Sequence, residues 1–195
     1  GQPVRGDDYP LGVTRLYEDG PAPDALVLSD FDRVSYLLGA LARGENSAPV
    51  ALIGEPGSGR RTSALTLAVA EGRRLFVVDL SLLPWELEPF ENQLAATLRD
   101  GVLSGAVVFL RCSCFSDKSD RRPLVLGRLL ASMPVPVAVG IDPLTAANVL
   151  PALPGPRIVT IDDAPTDDRS RLFERLTRLH GYELEPKLVR ELVDT

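Results

Sequence analysis

The chain has 195 residues, of which 45% are hydrophobic and 25% charged, with a formal net charge of −6. This length and composition predict one main folded domain and exclude an intrinsically disordered chain. No uncharged apolar stretch reaches the roughly 18–20 residues of a transmembrane helix, and the sequence shows no signal-peptide pattern, so we expect a cytoplasmic protein without membrane partners. The acidic balance argues against direct binding to nucleic acid.

The basic residues are almost all arginine, since only Lys118 and Lys187 are lysines. This bias is typical of the GC-rich genome of a bacterium, and it means that an arginine can stand where related proteins carry lysine. The two cysteines, Cys112 and Cys114, lie too close together to staple a disulfide-rich fold. The first residue is Gly1 and not Met, which we interpret as a piece of a longer protein.

The first segment, residues 1–28, has little apolar periodicity and is predicted to be an extended leader or linker. Ser29 is a suitable N-cap, and apolar residues then recur at helical spacing up to about Gly44. Short apolar runs follow, and they predict five strands: Pro49–Ile53, Leu75–Asp79, Ala106–Leu110, Val135–Ile141 and Arg157–Ile161.

Helical patterns lie between and after these strands, at Thr62–Glu71, Glu86–Leu103, Arg122–Ser132, Pro143–Leu150, Thr166–His180 and Glu185–Val193. Strands that alternate with helices are typical of a parallel sheet covered on both faces. The sequence therefore predicts an α/β protein with three layers, αβα.

A glycine-rich loop follows the first of these strands and precedes a helix. Its sequence is Gly54-Glu55-Pro56-Gly57-Ser58-Gly59, and we call it the phosphate loop. Glycines allow backbone N–H groups to converge on an anion, and the helix N-terminus adds partial positive charge. The G-x-x-x-x-G spacing is that of a P-loop, whereas a dinucleotide-binding fingerprint would need a glycine where Thr62 stands.

The residues after the phosphate loop depart from a working P-loop, which continues with Lys and then Ser or Thr. Arg60 and Arg61 occupy these positions, and the hydroxyl of Thr62 comes one residue late. Arg60 can supply the charge of the lysine, although its planar guanidinium is bulkier. Arg61 cannot ligate a metal. ATP or ADP is therefore a possible ligand of the loop, and Mg²⁺ is not expected.

The third predicted strand departs in the same way. In P-loop ATPases an apolar strand here ends in two acidic residues, which hold Mg²⁺ and polarise the attacking water. In this chain Val107–Leu110 is followed by Arg111 and Cys112. We therefore assign no catalytic residue and no metal ligand.

These motifs resemble the AAA+ ATPase family, through the G-E-P-G-x-G loop and the helix that begins at Ser29. The resemblance implies a five-stranded parallel sheet in the order 5-1-4-3-2, an AAA+-like core over residues 29–164, and a helical lid that starts in residues 165–195 and is truncated. It also implies that Asp142 stands at the sensor-1 position, which is usually Asn. The predicted nucleotide site comprises the phosphate loop together with Arg60, Arg61, Thr62, Arg111 and Asp142.

The same resemblance implies a function. We expect a degenerate AAA+ module that does not hydrolyse ATP and serves as a structural, regulatory or interaction unit beside other domains or subunits of a larger ATPase, in a tandem arrangement. A weaker similarity is to two-module bacterial ATPases found with phage-tail-like contractile systems. Two alternatives stay open: a sensor that binds ATP or ADP without cleaving it, and a slow hydrolase that uses Thr62 with Asp79 or Asp142.

The three unusual arginines, Arg60, Arg61 and Arg111, are predicted to converge at the carboxyl edge of the sheet. They would either hold phosphates in place of a metal, or pair with Asp79, Asp117 or Asp142 and close the pocket. Such pairs at a partly solvated rim contribute about 0–1 kcal/mol. Of the remaining candidates, Trp85 is interpreted as a packing residue that could also serve an interface, and Cys112 as a small core filler.

Overall fold

The computed structural model describes residues 14–17, 31–45, 47–133 and 135–162. The two helices expected in the lid, and most of the expected leader, lie outside this part of the chain. The strands are β1 (Thr14–Tyr17), β2 (Val50–Ile53), β3 (Leu75–Asp79), β4 (Val107–Cys112), β5 (Val137–Ile141) and β6 (Arg157–Thr160). The helices are α1 (Phe31–Ala42), α2 (Arg60–Ala70), α3 (Leu87–Leu103), α4 (Arg122–Ser132) and α5 (Pro143–Val149).

All six strands form one sheet in the order β1-β3-β4-β5-β2-β6. The five predicted strands are β2 to β6, and they are parallel and follow the expected order. The sheet differs from the expected five-stranded one by β1, which pairs antiparallel with β3 at the edge. None of the helices in the described ranges combines the length and apolar character that crossing a bilayer requires.

Strand β1 lies inside the segment that was expected to be an extended leader or linker, and the sequence did not predict that these residues pair with the sheet. The strand has four residues, which is too short for a period-2 pattern to stand out from its polar surroundings. Its successive side chains Leu16 and Tyr17 nevertheless pack against the two opposite faces of the sheet. The strand pairs with the backbone N–H and C=O groups at the otherwise free edge of β3. No local pattern predicts this pairing, because it joins residues distant in the sequence.

The sheet is buried on both faces, as the continuous apolar runs predict. Val50 and Leu52 of β2 pack with α1 and α2, whereas Ala51 between them faces α3, α4 and α5. Each fully buried large apolar side chain contributes about 1.5–3 kcal/mol relative to an exposed one. Because the central strands are parallel and covered on both sides, their carboxyl ends are left as the open edge where a ligand can bind.

A charge pair is buried at the start of α4. The side chains of Arg122 and Asp120 are 3% and 4% exposed, and Arg122 Nη2 donates to Asp120 Oδ2 at 2.6 Å. The guanidinium carbon lies 3.8 Å from the centre of the Trp85 ring and 5.2 Å from that of Phe115. Trp85 thus packs on Arg122 with one face, while two thirds of the residue stays exposed.

The two cysteines differ in environment. Cys112 is fully buried in the core beside α3, α4 and α5, in agreement with its interpretation as a filler. Burial raises the pKa of its thiol well above the usual value. Cys114 is half-buried, and burial likewise raises the pKa of its thiol, against an opposing effect of the Arg122 charge.

We expect Arg122→Ala to lower the free energy of unfolding by about 3–5 kcal/mol, because it leaves the Asp120 carboxylate buried without its partner. Urea unfolding followed by far-UV circular dichroism measures this change. The matched control is Arg128→Ala, which removes the exposed pair between Arg128 and Glu91 and should cost no more than about 1 kcal/mol. Equal losses in the two variants would contradict the prediction.

The cysteines should differ in their reaction with a thiol-specific disulfide reagent. We expect Cys114 to react slowly in the folded protein, at a rate that still rises at pH values where an ordinary thiol is already ionised, because its pKa is raised. Cys112 should react only when the protein unfolds. In Cys114→Ser the slow native phase should disappear, and its persistence would show that Cys112 is accessible.

Candidate functional site

The carboxyl ends of four parallel strands meet at one edge of the sheet. The phosphate loop follows β2 there, and Gly54 donates its N–H to the Ile141 carbonyl at the end of β5, at 3.2 Å. Asp79 ends β3, Arg111 and Cys112 end β4, and Asp142 follows β5. The fold therefore brings together the strand ends that the sequence singled out.

The shape of the phosphate loop depends on its glycines. A Cβ atom on Gly54 would lie 2.5 Å from the Ile161 carbonyl oxygen, a backbone atom that cannot move aside. Gly57 and Gly59 have φ values of +97° and +89°, in the region that favours glycine. Gly59 leads into α2, and Ser63 donates its N–H to the Gly59 carbonyl at 2.8 Å. The N–H groups of the first turn of α2 have no partner within the helix, which makes this end suitable for an anion.

Arg60 forms an ion pair across the site. Its Nη2 donates to Asp142 Oδ1 at 2.7 Å, and the two side chains are only 10% and 18% exposed. Arg60 and Arg61 lie in the first turn of α2, at the positive end of the helix dipole. That turn contains no acidic residue. Asp142 supplies the negative charge that this helix end lacks.

Arg61 and Thr62 are both exposed. The guanidinium carbon of Arg61 lies 5.8 Å from the centre of the Tyr17 ring. Arg61 therefore connects the first turn of α2 with the edge strand β1, a contact that the sequence did not predict because β1 itself was not predicted.

Arg111 forms the second ion pair of this edge. It is opposite Asp79 in the parallel register of β4 and β3, and its Nη1 donates to Asp79 Oδ2 at 3.1 Å. The other carboxylate oxygen of Asp79 accepts hydrogen bonds from the Ser81 N–H and hydroxyl, at 3.0 and 2.6 Å. The Arg111 side chain is more than half exposed, so this pair adds little stability.

The three arginines thus contact three different elements: Arg60 contacts Asp142, Arg61 contacts Tyr17, and Arg111 contacts Asp79. Asp117, the remaining acidic residue considered as a partner, accepts hydrogen bonds from Ser119, and these bonds lower its pKa. In the ranges that the structure describes, no group of three or more His, Cys, Asp or Glu residues is placed to hold a metal ion.

Ser58 belongs to the phosphate loop that the sequence predicts as part of the nucleotide site, but the burial of its hydroxyl was not predicted. Its oxygen is buried and has no hydrogen-bond partner among the described residues, and a Cβ on Gly54 would lie 2.5 Å from it. A buried polar atom without a partner costs about 1–3 kcal/mol. Only the folded loop shows this, because serine in a glycine-rich loop is ordinarily solvated.

No family model matches the sequence, and no curated protein matches it significantly. Solved structures do resemble it. The AAA domain of FIGL-1 in complex with ADP has a TM-score of 0.68 at 14% identity, and the alignment covers 94% of this chain and 70% of that one.

Two Trip13 structures are also similar. In the HORMA:CdnC:Trip13 complex of E. coli MS115-1, the matched chain has a TM-score of 0.52 at 20% identity, with 94% of this chain and 79% of that chain covered. Trip13 from Rhizobiales gives 0.54 at 17% identity, with 94% and 80% covered. Identities this low establish the architecture and not the activity. The chain has the fold of an AAA+ domain.

Proposed function

We propose that this AAA+-type module does not hydrolyse ATP and acts as a structural, regulatory or interaction unit of a larger AAA+ assembly. The observation that carries the proposal is the ion pairing at the carboxyl edge of the sheet. Asp142 pairs with Arg60, and Asp79 pairs with Arg111. Within the proposal, residues 29–164 are the AAA+-like core and residues 165–195 begin a lid.

Hydrolysis of ATP by a P-loop protein needs a cation on the β- and γ-phosphates, ligands for Mg²⁺, and a group that orients the attacking water. Arg60 can meet the first need. Arg61 and Arg111 do not meet the second, because each stands in the sequence where a P-loop ATPase carries a metal ligand, and a guanidinium has no lone pair to offer a cation. The buried thiol of Cys112, with its raised pKa, is a poor base at neutral pH.

The slow-hydrolase alternative fits these contacts less well. It needs a carboxylate that is free to bind a metal or activate water. Asp79 is engaged by Arg111 and by Ser81, and the Thr62 hydroxyl is exposed on α2.

The partners of such a module would be other subunits or domains of an AAA+ assembly. One of the similar structures is a complex that contains HORMA and CdnC together with Trip13. That arrangement supports a role through contacts with other proteins.

A second candidate function is a sensor that binds ATP or ADP without Mg²⁺. Three features of the loop favour it: the positive φ values of Gly57 and Gly59, the buried and unsatisfied hydroxyl of Ser58, and the arginines in a helix turn that has no acidic residue. A fold neighbour was solved with ADP bound, so the architecture is compatible with a nucleotide.

For the lack of hydrolysis, we expect the chain to release no phosphate from ATP and Mg²⁺ above a heat-denatured sample. Arg111→Asp alone should not change this, because Arg61 and Cys112 still replace the other metal-site and water-orienting residues. A coupled phosphate-release assay measures both proteins. Magnesium-dependent release that Arg60→Ala abolishes would contradict the proposal, since contaminating ATPases would not respond to that variant.

For the sensor function, we expect calorimetric titration with ADP to give the same dissociation constant, within about twofold, in Mg²⁺ and in EDTA. The reason is that arginine charges, and not a metal, would neutralise the phosphates. Arg60→Ala should weaken binding in both buffers. Binding that requires Mg²⁺ would contradict a metal-free site, and no binding in either buffer would remove the sensor function.

A further inference from the structure

We infer that the Asp142 carboxylate is an internal competitor of the ligand: it occupies Arg60 when the phosphate loop is empty and is displaced by a nucleotide polyphosphate. The inference rests on the sensor function proposed above and names the residue that regulates that site.

The Arg60–Asp142 contact involves the side chain that would otherwise bind phosphate. Arg60 is the first residue of α2 and stands where a P-loop carries its phosphate-binding lysine. Its guanidinium is directed to Asp142 Oδ1 at 2.7 Å. The group that would neutralise phosphate charge is therefore already neutralised by the protein, at the end of the neighbouring strand β5.

The contact between Arg60 and Asp142 is a single hydrogen bond. Only Nη2 of Arg60 donates to Asp142 among the described residues, although a guanidinium has five N–H donors and can engage an anion through two of them. A phosphate group offers oxygens on several sides and accepts two parallel hydrogen bonds from arginine. A polyphosphate can therefore replace a single carboxylate contact with a stronger one.

Asp142 can release Arg60 without disturbing the fold. It is the N-cap residue of α5, yet its side chain makes no capping hydrogen bond. Its backbone carbonyl does the anchoring, since it accepts from the Thr145 N–H at 2.9 Å and from the Thr145 hydroxyl at 3.0 Å. The Asp142 side chain therefore makes its hydrogen bond to Arg60 and none to α5.

The ligand class follows from this competition. An anion displaces the carboxylate when it binds more strongly than the carboxylate does, and it gains strength from higher charge and from reaching both Arg60 and the N–H groups of the loop. Nucleoside diphosphates and triphosphates free of metal have both properties, whereas a monophosphate contacts fewer of these groups.

The test is calorimetric titration of the chain with ADP in EDTA, for the unchanged protein, Asp142→Asn and Glu91→Gln. We expect Asp142→Asn to bind ADP on the order of tenfold more tightly, the factor that corresponds to one lost competing charge contact of about 1.4 kcal/mol. Glu91→Gln is the control, because it also removes one carboxylate charge that is paired with an arginine, here Arg128, and neither residue belongs to the predicted nucleotide site. It should change the affinity less than twofold.

A double variant distinguishes competition for Arg60 from a general effect of removing one negative charge. The double variant Arg60→Ala/Asp142→Asn should bind ADP no more tightly than Arg60→Ala alone, because without Arg60 there is no guanidinium for which the Asp142 carboxylate can compete. Thermal unfolding confirms that each variant is folded, and asparagine is the residue that the AAA+ resemblance implies at this position.

Each outcome has a distinct meaning. A gain confined to Asp142→Asn and lost without Arg60 supports the inference. Equal affinities of the unchanged protein and Asp142→Asn, or an equal gain in Glu91→Gln, overturn it and leave the sensor function standing. If neither the unchanged protein nor Asp142→Asn binds ADP, the sensor function fails and this inference fails with it.

Discussion

Burial of the parallel sheet on both faces is the constraint on which the rest of this structure depends. Once β2, β3, β4 and β5 lie side by side with helices above and below, their polar strand ends can emerge only at the carboxyl edge. The phosphate loop, Arg111 and Asp142 are brought together for this reason. The topology of the sheet, more than any single contact, places these residues at one edge.

Charge balance then decides what this edge can do. P-loop hydrolases offer carboxylate and hydroxyl oxygens to a divalent cation there, whereas this chain offers arginines that its own carboxylates neutralise. In the function proposed above, a phosphate group exchanges with the carboxylate on Arg60, and two guanidinium groups offer no ligand to a divalent cation. We therefore propose that this edge binds a metal-free anion and does not support hydrolysis.

A different balance holds at the start of α4, where Arg122 and Asp120 are almost fully buried. Their pair is sealed by aromatic rings, so neither partner can be exchanged for a ligand at low cost. The Arg60–Asp142 pair lies nearer the solvent. In the inference proposed above, this greater exposure is what allows a ligand to open the Arg60–Asp142 pair, since the two pairs hardly differ in distance.

The sequence by itself determined the order of β2 to β6 and of the helices between them, the parallel sheet and the phosphate loop, because hydrophobic periodicity and glycine spacing are local properties that survive in the linear chain. It also singled out Arg60, Arg61 and Arg111 as candidates, and the family resemblance added Asp142. Only the tertiary structure decided how these side chains are paired, that β1 closes the edge of β3, and that the Ser58 hydroxyl is buried without a partner. Those contacts join residues distant in sequence or depend on burial, and no local pattern encodes which carboxylate a guanidinium will reach.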